Sequence, residues 1–306
     1  MNFPTDGFEP DTESAVTLLA AVVTDVAPPM IRRGILNVVA ARPRFRSVPL
    51  APVEALAALV TDVGELLESL TDDDWETAAA LGDLSVRDTV SHLTGADRYL
   101  GVKTGAWSEP LADELDHLAT SRPAIEAGIS LTNTELLDRW RSNSGALIAH
   151  LRTIPVADMS LPSRYNVIAA PLGGVLIARA FELWTHAEDI CRATGRSLRP
   201  PAADVLGAMT DVAAELVPGG YQLETGRTDP QTVRLVLTGP GGGTWDRALT
   251  SGAMVGEPDV VVVAESVDFC RLIANRLAPV DLDCEIIGEQ TIGHAVVAGA
   301  MRFAMD

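Results

Sequence analysis

The stretch that decides the fold is RAFELWTHAEDICRATG, residues 179–195 of a 306-residue chain. Arg179, Glu182, His186 and Asp189 are spaced three, four and three residues apart, which is the repeat of one helical face. A charged stripe of this kind either faces water or points into the protein. The other residues of the helix indicate which of these two orientations applies.

Apolar residues occupy much of the remaining circumference of this helix. Opposite the stripe lie Ile177, Ala180, Trp184 and Cys191, and a third side with Thr185, Glu188 and Arg192 offers a polar face to water. We therefore predict that the charged stripe points inward, as the carboxylates and histidines of metal-binding bundles do. Buried charges need partners or a cation, because desolvation otherwise carries a large free-energy cost.

Three further long helices are predicted upstream of this one. They begin near Pro52, at Val86 after a capping box formed by Ser85 and Asp88, and near Thr132. Acidic, loop-like sequence separates the second helix from the third. The last helix runs from about residue 172 to 193 and ends before Gly195. Four long helices between residues 51 and 195 indicate a helical bundle.

The pattern changes after Pro200-Pro201. A helix over 202–216 precedes predicted strands at 233–237, 244–248 and 260–264, a helix over 266–275, a strand at 284–287 and a helix from 291. GPGGGTW, residues 239–245, lacks the Gly-Lys-Ser/Thr of a phosphate-binding loop and predicts a hairpin loop. The predicted fold class is α+β with two domains. An extension over 1–50, with helices at 12–26 and 30–41, precedes the bundle at 51–196 and a small mixed α/β domain at 197–306.

Composition restricts the partners. The net charge is −19, with 42 acidic against 23 basic residues and no basic cluster, which argues against nucleic acid and anionic membranes. The chain has no apolar run of membrane-spanning length and no signal-peptide pattern, so a cytoplasmic monomer or homodimer is expected. The three cysteines lie far apart without a CxxC pair, as reduced thiols do.

The most specific hypothesis for the histidines is that some of them bind a metal ion. Glu182 lies one turn before His186, and His92, near the middle of the capped helix, is the best third ligand. The competing interpretations are a hydrogen-bonded, half-buried His92 and a simple intrahelical Glu182–His186 pair. His117 is predicted to be solvated in the acidic loop. His150 and His294 have no suitably spaced partner.

Two segments together resemble one family. LSVRDTVSHLTGAD (84–97) and RAFELWTHAEDICRATG resemble the mycothiol-dependent maleylpyruvate isomerase family, whose N-terminal domain is a DinB-like four-helix bundle. VRLVLTG, EPDVVV and FCRLIANR resemble the family's sterol-carrier-like α/β domain. The resemblance covers residues 51–306 and implies a divalent metal, most often zinc, on His92, Glu182 and His186. It also implies mycothiol as the thiol cosubstrate.

The implied activity is isomerisation or thiol transfer on a small electrophile through a metal-activated thiolate. Arg179 and Asp189 would orient the ligands, or else form ordinary salt bridges. Arg276 is implied in activity, although Asn275 precedes it where the family has glycine; Leu84 replaces a common tryptophan. Two imidazoles and one carboxylate leave a coordination position open. The same set suits non-haem iron, and a non-catalytic binding or regulatory protein is the other alternative.

Overall fold

Four long helices form the first half of the fold, and the computed structural model describes residues 48–79, 84–111, 117–165 and 168–303. The extension predicted at 1–50, with its helices at 12–26 and 30–41, lies almost entirely outside these ranges. The helices up to residue 193 are α1 (Pro52–Glu68), α2 (Asp72–Trp75), α3 (Val86–Thr104), α4 (His117–Gly128), α5 (Asn133–Leu151) and α6 (Leu172–Ala193).

Side-chain caps set the starts of several of these helices. The predicted capping box at Ser85 and Asp88 is confirmed, and Thr132 with Glu135 forms a second one at the start of α5. Helix α4 was not predicted: its segment was interpreted as part of an acidic loop. It packs along α3, and the Cα of Ser121 lies 2.5 Å from the position that a Cβ on Gly95 would take. Close packing against α3 therefore stabilises this helix, although its hydrophobic periodicity is too weak to predict it.

A short hairpin leads into α6. Strands β1 (Pro162–Tyr165) and β2 (Ile168–Pro171) pair antiparallel, and Tyr165 lies at the inner end of β1 with its side chain fully buried. Helix α6 then begins directly after Pro171 and packs against α1 and α7. The hairpin therefore brings a tyrosine from outside the long helices into the interior.

The C-terminal segment, defined here as residues 203–303, combines helices with one sheet. Its elements are α7 (Ala203–Thr225), β3 (Thr232–Thr238), β4 (Gly243–Ala248), β5 (Val260–Glu265), α8 (Ser266–Ile273), β6 (Cys284–Gly288) and α9 (Gln290–Ala300). The strand order is β4-β3-β5-β6, with β3 and β5 parallel and the outer pairs antiparallel. The predicted strands and the hairpin loop at 239–245 are confirmed, as is the mixed α+β class.

Helix α7 is longer than predicted. The sequence suggested an end at Leu216, before Pro218, yet the helix continues through the proline to Thr225. A proline removes one backbone hydrogen bond, but tertiary packing holds the far half in place. At Gly220 a Cβ would lie 2.3 Å from the carbonyl oxygen of Gly299 on α9, so the two backbones are in close contact.

The inward orientation of the charged stripe on α6 is confirmed. Arg179 is 0% exposed, His186 4% and Asp189 1%. The prediction that a polar side of α6 faces water is only partly correct, because Thr185 and Glu188 on that side are also buried. The C-terminal segment covers that side: Arg271 of α8 places its guanidinium 2.8 Å from Glu188.

The division into domains at 196/197 stays a prediction, because the described residues belong to one compact unit. The three cysteines are free thiols, as expected, with Cys191 and Cys270 buried. In the described part of the chain, no helix is both long enough and apolar enough to cross a bilayer.

Candidate metal centre

Three candidate ligands from two helices converge at one point. One ligand atom from each of His92, Glu182 and His186 lies within 4.8 Å of the other two. Nε2 of His92 is 3.1 Å from Oε1 of Glu182, and the two imidazole rings are 5.2 Å apart, edge to face. All three side chains are at least nine-tenths buried. This is the grouping that the spacing of the charged stripe and the position of His92 predicted.

Local structure fixes where these side chains point. The capping box determines the first residue of α3 and hence the rotation that turns His92 inward. The hydroxyl of Ser121 on α4 donates to the backbone oxygen of His92 at 3.4 Å. On α6, Glu182 and His186 are separated by four residues, so both project from the same face. Helix register therefore sets the face on which each candidate ligand lies, and the packing of α3 against α6 brings the two faces together.

Arg179 anchors the beginning of the stripe inside the bundle. Its guanidinium donates to Oδ1 of Asp97 through Nε at 3.0 Å and approaches the same oxygen with Nη2 at 2.8 Å. Ser144 of α5 donates to the other oxygen of Asp97. Burial raises the pKa of Asp97, and Arg179 opposes that rise. Because arginine stays protonated, its full burial requires Asp97 as an ionised partner at neutral pH.

Tyr165 holds the second oxygen of Glu182. Its hydroxyl donates to Oε2, and Nη1 of Arg179 lies 3.6 Å from the same atom. Burial raises the pKa of Tyr165 well above its ordinary value, and the adjacent carboxylate raises it further. The side chain therefore remains a neutral phenol that can donate a hydrogen bond.

Asp189 anchors the other end of the stripe to the C-terminal segment. Nε and Nη2 of Arg276 donate to its two oxygens, each at 2.8 Å. Oδ2 of Asp189 also lies 3.6 Å from Nδ1 of His186. Burial alone would raise the pKa of Asp189, but the neighbouring His186 and Arg276 together lower it below its ordinary value. Asp189 is thus a charged link between a candidate ligand and residue 276.

Asn275 explains how Arg276 reaches Asp189. It follows α8 with a φ of 55°, and among the described residues it is the one position other than glycine with a positive φ. Glycine adopts this left-handed conformation without strain, and asparagine is one of the few other residues that tolerate it. Asparagine in place of the expected glycine therefore preserves the turn that directs Arg276 inward.

Two buried polar atoms lack hydrogen bonds at the site. Within the described residues, Nδ1 of His186 and Nη1 of Arg179 make none, although each lies 3.6 Å from a carboxylate oxygen. Such atoms are uncommon in protein interiors and call for an explanation. Neither atom would itself bind a cation, because Nη1 is a donor and Nδ1 faces Asp189. The fit of a cation rests on the two imidazoles and one carboxylate that converge, and on the positive charge that it adds near three carboxylates.

The remaining histidines lie elsewhere. His150 on α5 has Nε2 2.9 Å from the backbone oxygen of Thr104, and the exposed His294 has Nδ1 2.8 Å from that of Gln290. Both fit the expectation that neither is a ligand. His117, predicted to lie in a loop, is instead the first residue of α4.

Sequence reasoning did not single out Asp97, Ser144 or Tyr165. Asp97 follows the small residues Gly95 and Ala96 on α3, but Arg98 comes directly after it, so the sequence alone does not mark it as a buried carboxylate. The chain has only three tyrosines, and all are fully buried. A scarce, buried tyrosine needs a partner for its hydroxyl, but the sequence gives no indication which partner that is.

Comparisons with known proteins find a similar domain and a similar fold. Residues 56–191 match the family model described as "Mycothiol maleylpyruvate isomerase N-terminal domain". A crystal structure of the mycothiol-dependent maleylpyruvate isomerase shares the fold, with a TM-score of 0.51 and 15% identity over 76% of this chain and 91% of that chain.

A histidine-to-alanine mutant of that enzyme is similar, with a TM-score of 0.50 and the same identity and coverage. No curated protein sequence matches the chain. The resemblance seen in the two sequence segments is thereby confirmed. Residues 56–191 are therefore similar to the N-terminal domain of the mycothiol-dependent maleylpyruvate isomerase family.

Proposed function

We propose that the chain is a metal-dependent enzyme that uses mycothiol to isomerise, or to transfer the thiol onto, a small electrophile. The observation that carries the proposal is the convergence of His92, Glu182 and His186 within 4.8 Å in a buried setting. Two neutral imidazoles and one carboxylate bind zinc and leave at least one position for an exogenous ligand. A purely structural zinc site would instead have four protein ligands.

The buried charges favour both a dication and an anionic thiol. Arg179 and Arg276 contribute two positive charges, and Asp97, Glu182 and Asp189 contribute three negative ones, which leaves one negative charge. A dication would change that total to one positive charge. One monoanion would then make the cluster neutral, and neutrality lowers the cost of keeping the whole group out of water.

A cation in this position supplies one kind of chemistry: it lowers the pKa of a coordinating thiol so that the thiolate persists at neutral pH. The residues of the chain perform the other tasks. Asp189, oriented by Arg276, lies on the Nδ1 side of His186 and would reserve Nε2 for the cation. Arg179 and Tyr165 hold Glu182 from the opposite side.

Arg276 is proposed to support activity through Asp189. Its two hydrogen bonds to that carboxylate make it a positioning residue for His186. A carboxylate on the far side of a ligating imidazole, as Asp189 is at 3.6 Å from Nδ1 of His186, favours one tautomer and ring orientation. Loss of such partners typically changes metal affinity or activity by about 10–100-fold.

The test measures metal content and thiol chemistry in parallel. Purified protein is analysed for zinc and iron, then assayed for mycothiol consumption with a panel of electron-poor alkenes and other small electrophiles. The proposal predicts about one zinc per chain and thiol-dependent turnover, both abolished in His186→Ala because two remaining ligands rarely retain zinc. His117→Ala is the control and is expected to change neither.

Three outcomes would overturn the proposal. Iron in place of zinc with oxygen consumption would indicate non-haem oxygen chemistry at the same triad. Bound metal without any affinity for mycothiol would favour a small-molecule-binding or regulatory protein. Equal thiol-transfer rates for His186→Ala and the wild type would contradict the mechanism directly.

A further inference from the structure

The two oxygens of Glu182 have different surroundings. Oε1 faces His92, whose Nε2 is 3.1 Å away, and so lies on the side where the three candidate ligands meet. Oε2 accepts a hydrogen bond from the hydroxyl of Tyr165 and lies 3.6 Å from Nη1 of Arg179. The carboxylate is thus held with one oxygen toward the triad and one toward a phenol and a guanidinium.

Tyr165 is rigidly placed to make this contact. It lies at the inner end of β1, where it pairs with Ile168 across the hairpin, and its side chain is 0% exposed. Its ring packs edge to face on that of Tyr99 from α3, with centroids 5.6 Å apart. Because Tyr99 belongs to the same helix as His92, one packing contact links the position of the donor to that of a candidate ligand.

The guanidinium that completes this arrangement cannot easily move. Arg179 is itself fully buried and is bound to Asp97, which Ser144 also holds. Its Nη2 additionally donates to the backbone oxygen of Leu93, one residue beyond His92. Rotation of Glu182 toward a two-oxygen mode would therefore break the hydrogen bond from Tyr165 and draw negative charge away from a buried cation.

We propose that Tyr165 is a positioning residue that makes Glu182 a one-oxygen ligand of the cation. A carboxylate can coordinate through one oxygen or two, and the second mode would add a ligand atom, which raises the coordination number and crowds the position available to the thiol. By retaining Oε2, Tyr165 keeps that position open. The inference rests on the proposed metal site and adds to it a residue from outside the long helices.

The first test replaces only the hydroxyl. Tyr165→Phe retains the ring that packs on Tyr99, and Tyr221→Phe is the matched control, since Tyr221 is equally buried but donates to Gln231 in the C-terminal segment. Each protein is loaded with Co²⁺, whose visible absorption is strong in four-coordinate sites and weak when the coordination number rises. Circular dichroism checks that each variant is folded.

The wild type and Tyr221→Phe are expected to give the same intense four-coordinate spectrum. Tyr165→Phe is expected to lose absorption several-fold and to bind a small thiol probe, 2-mercaptoethanol, about 10-fold more weakly, because Oε2 is freed to coordinate. Identical spectra and thiol affinities in all three proteins would overturn the role of Tyr165 while leaving the proposed function intact. Failure of the wild type to bind Co²⁺ would overturn both.

A second measurement needs no variant. In a crystal structure of the zinc-loaded wild type, Oε1 of Glu182 is expected at about 2.0–2.2 Å from the ion, with Oε2 still on the hydroxyl of Tyr165. Both oxygens within that distance of zinc would overturn the one-oxygen assignment even if the variant failed to fold.

Discussion

Helix α6 carries an arginine–aspartate pair at each end of the candidate metal centre, and the two pairs differ in where their partners come from. Arg179 pairs with Asp97 on α3, and both side chains are buried to within 2%. Asp189 pairs with Arg276 of the C-terminal segment, where the arginine is 8% exposed, and a third group, the largely exposed Arg192, lies 3.6 Å away.

Because their partners come from different parts of the chain, the two buried ion pairs should have different functions. The Arg179 pair is made from bundle residues alone, so it stabilises the fold and the Glu182 side of the site together. The Arg276 pair makes the His186 side dependent on a segment 87 residues further along the chain. Loss of the first pair should damage stability most, whereas loss of the second should affect metal affinity more selectively.

The largest effect is expected from Arg179→Met. The substitution leaves Asp97 buried without its cation, and breaking a buried pair in this way costs about 3–5 kcal/mol. The free energy of unfolding is measured by urea denaturation of metal-free protein. Arg152→Met is the control, since it removes an exposed ion pair with Glu54 and should scarcely move the midpoint.

A double variant sharpens this prediction. Asp97→Leu combined with Arg179→Met removes both charges, so much of the lost stability should return. If the stability lost in the double variant equalled the sum of the losses in Asp97→Leu and Arg179→Met alone, the ion pair would not be the source of the effect. Equal losses for Arg179→Met and Arg152→Met would contradict the comparison of buried with exposed pairs.

An intermediate effect is expected from Arg276→Met. Asp189 loses two charge-assisted hydrogen bonds but keeps His186 and Arg192 nearby, so the stability loss should be about 2 kcal/mol. Zinc affinity, measured by competition with a chromophoric chelator, should fall about 10-fold because His186 is less firmly oriented.

Arg271→Met provides the matched control within the same segment. Arg271 binds Glu188, the residue beside Asp189, but has no contact with a candidate ligand among the interactions that the structure describes. Its loss should lower stability without changing zinc affinity. A similar loss of affinity in both variants would mean that the C-terminal segment acts by general packing and not through Asp189.

The smallest effect concerns Asn275. Asn275→Gly and Asn275→Ala both remove the amide, so the difference between them reports the cost of a φ of 55° for a residue with a Cβ. The alanine variant should be about 1 kcal/mol less stable than the glycine variant, measured by urea denaturation. Equal stabilities would show that the left-handed conformation is not needed to place Arg276.

Periodicity predicted the parts of the site that lie on one helix. Glu182 and His186 share a face because four residues separate them, and the capping box at Ser85 located the helix that carries His92. The family resemblance then assigned all three as ligands. These features depend on local rules that act over one or two helical turns, which is why the sequence alone could supply them.

Contacts between distant elements were not predictable in the same way. Tyr165 reaches Glu182 through a two-stranded hairpin, and Asp97 meets Ser144 across 47 residues. Glu188 was expected to face water because nothing on α6 indicates that Arg271, 83 residues later, covers it. Such pairings arise from tertiary packing, and helical spacing carries no information about them.

The central claim is that His92 on one helix and Glu182 and His186 on another form a single metal site. Calorimetric titration of metal-free protein with Zn²⁺ tests it most directly, using the wild type, His92→Ala and the exposed-histidine control His294→Ala. We expect one zinc per chain for the wild type and His294→Ala, and an affinity lower by at least about 100-fold for His92→Ala, because a lost ligand should cost more than a lost outer partner of a ligand. Equal affinities for His92→Ala and the wild type would contradict it.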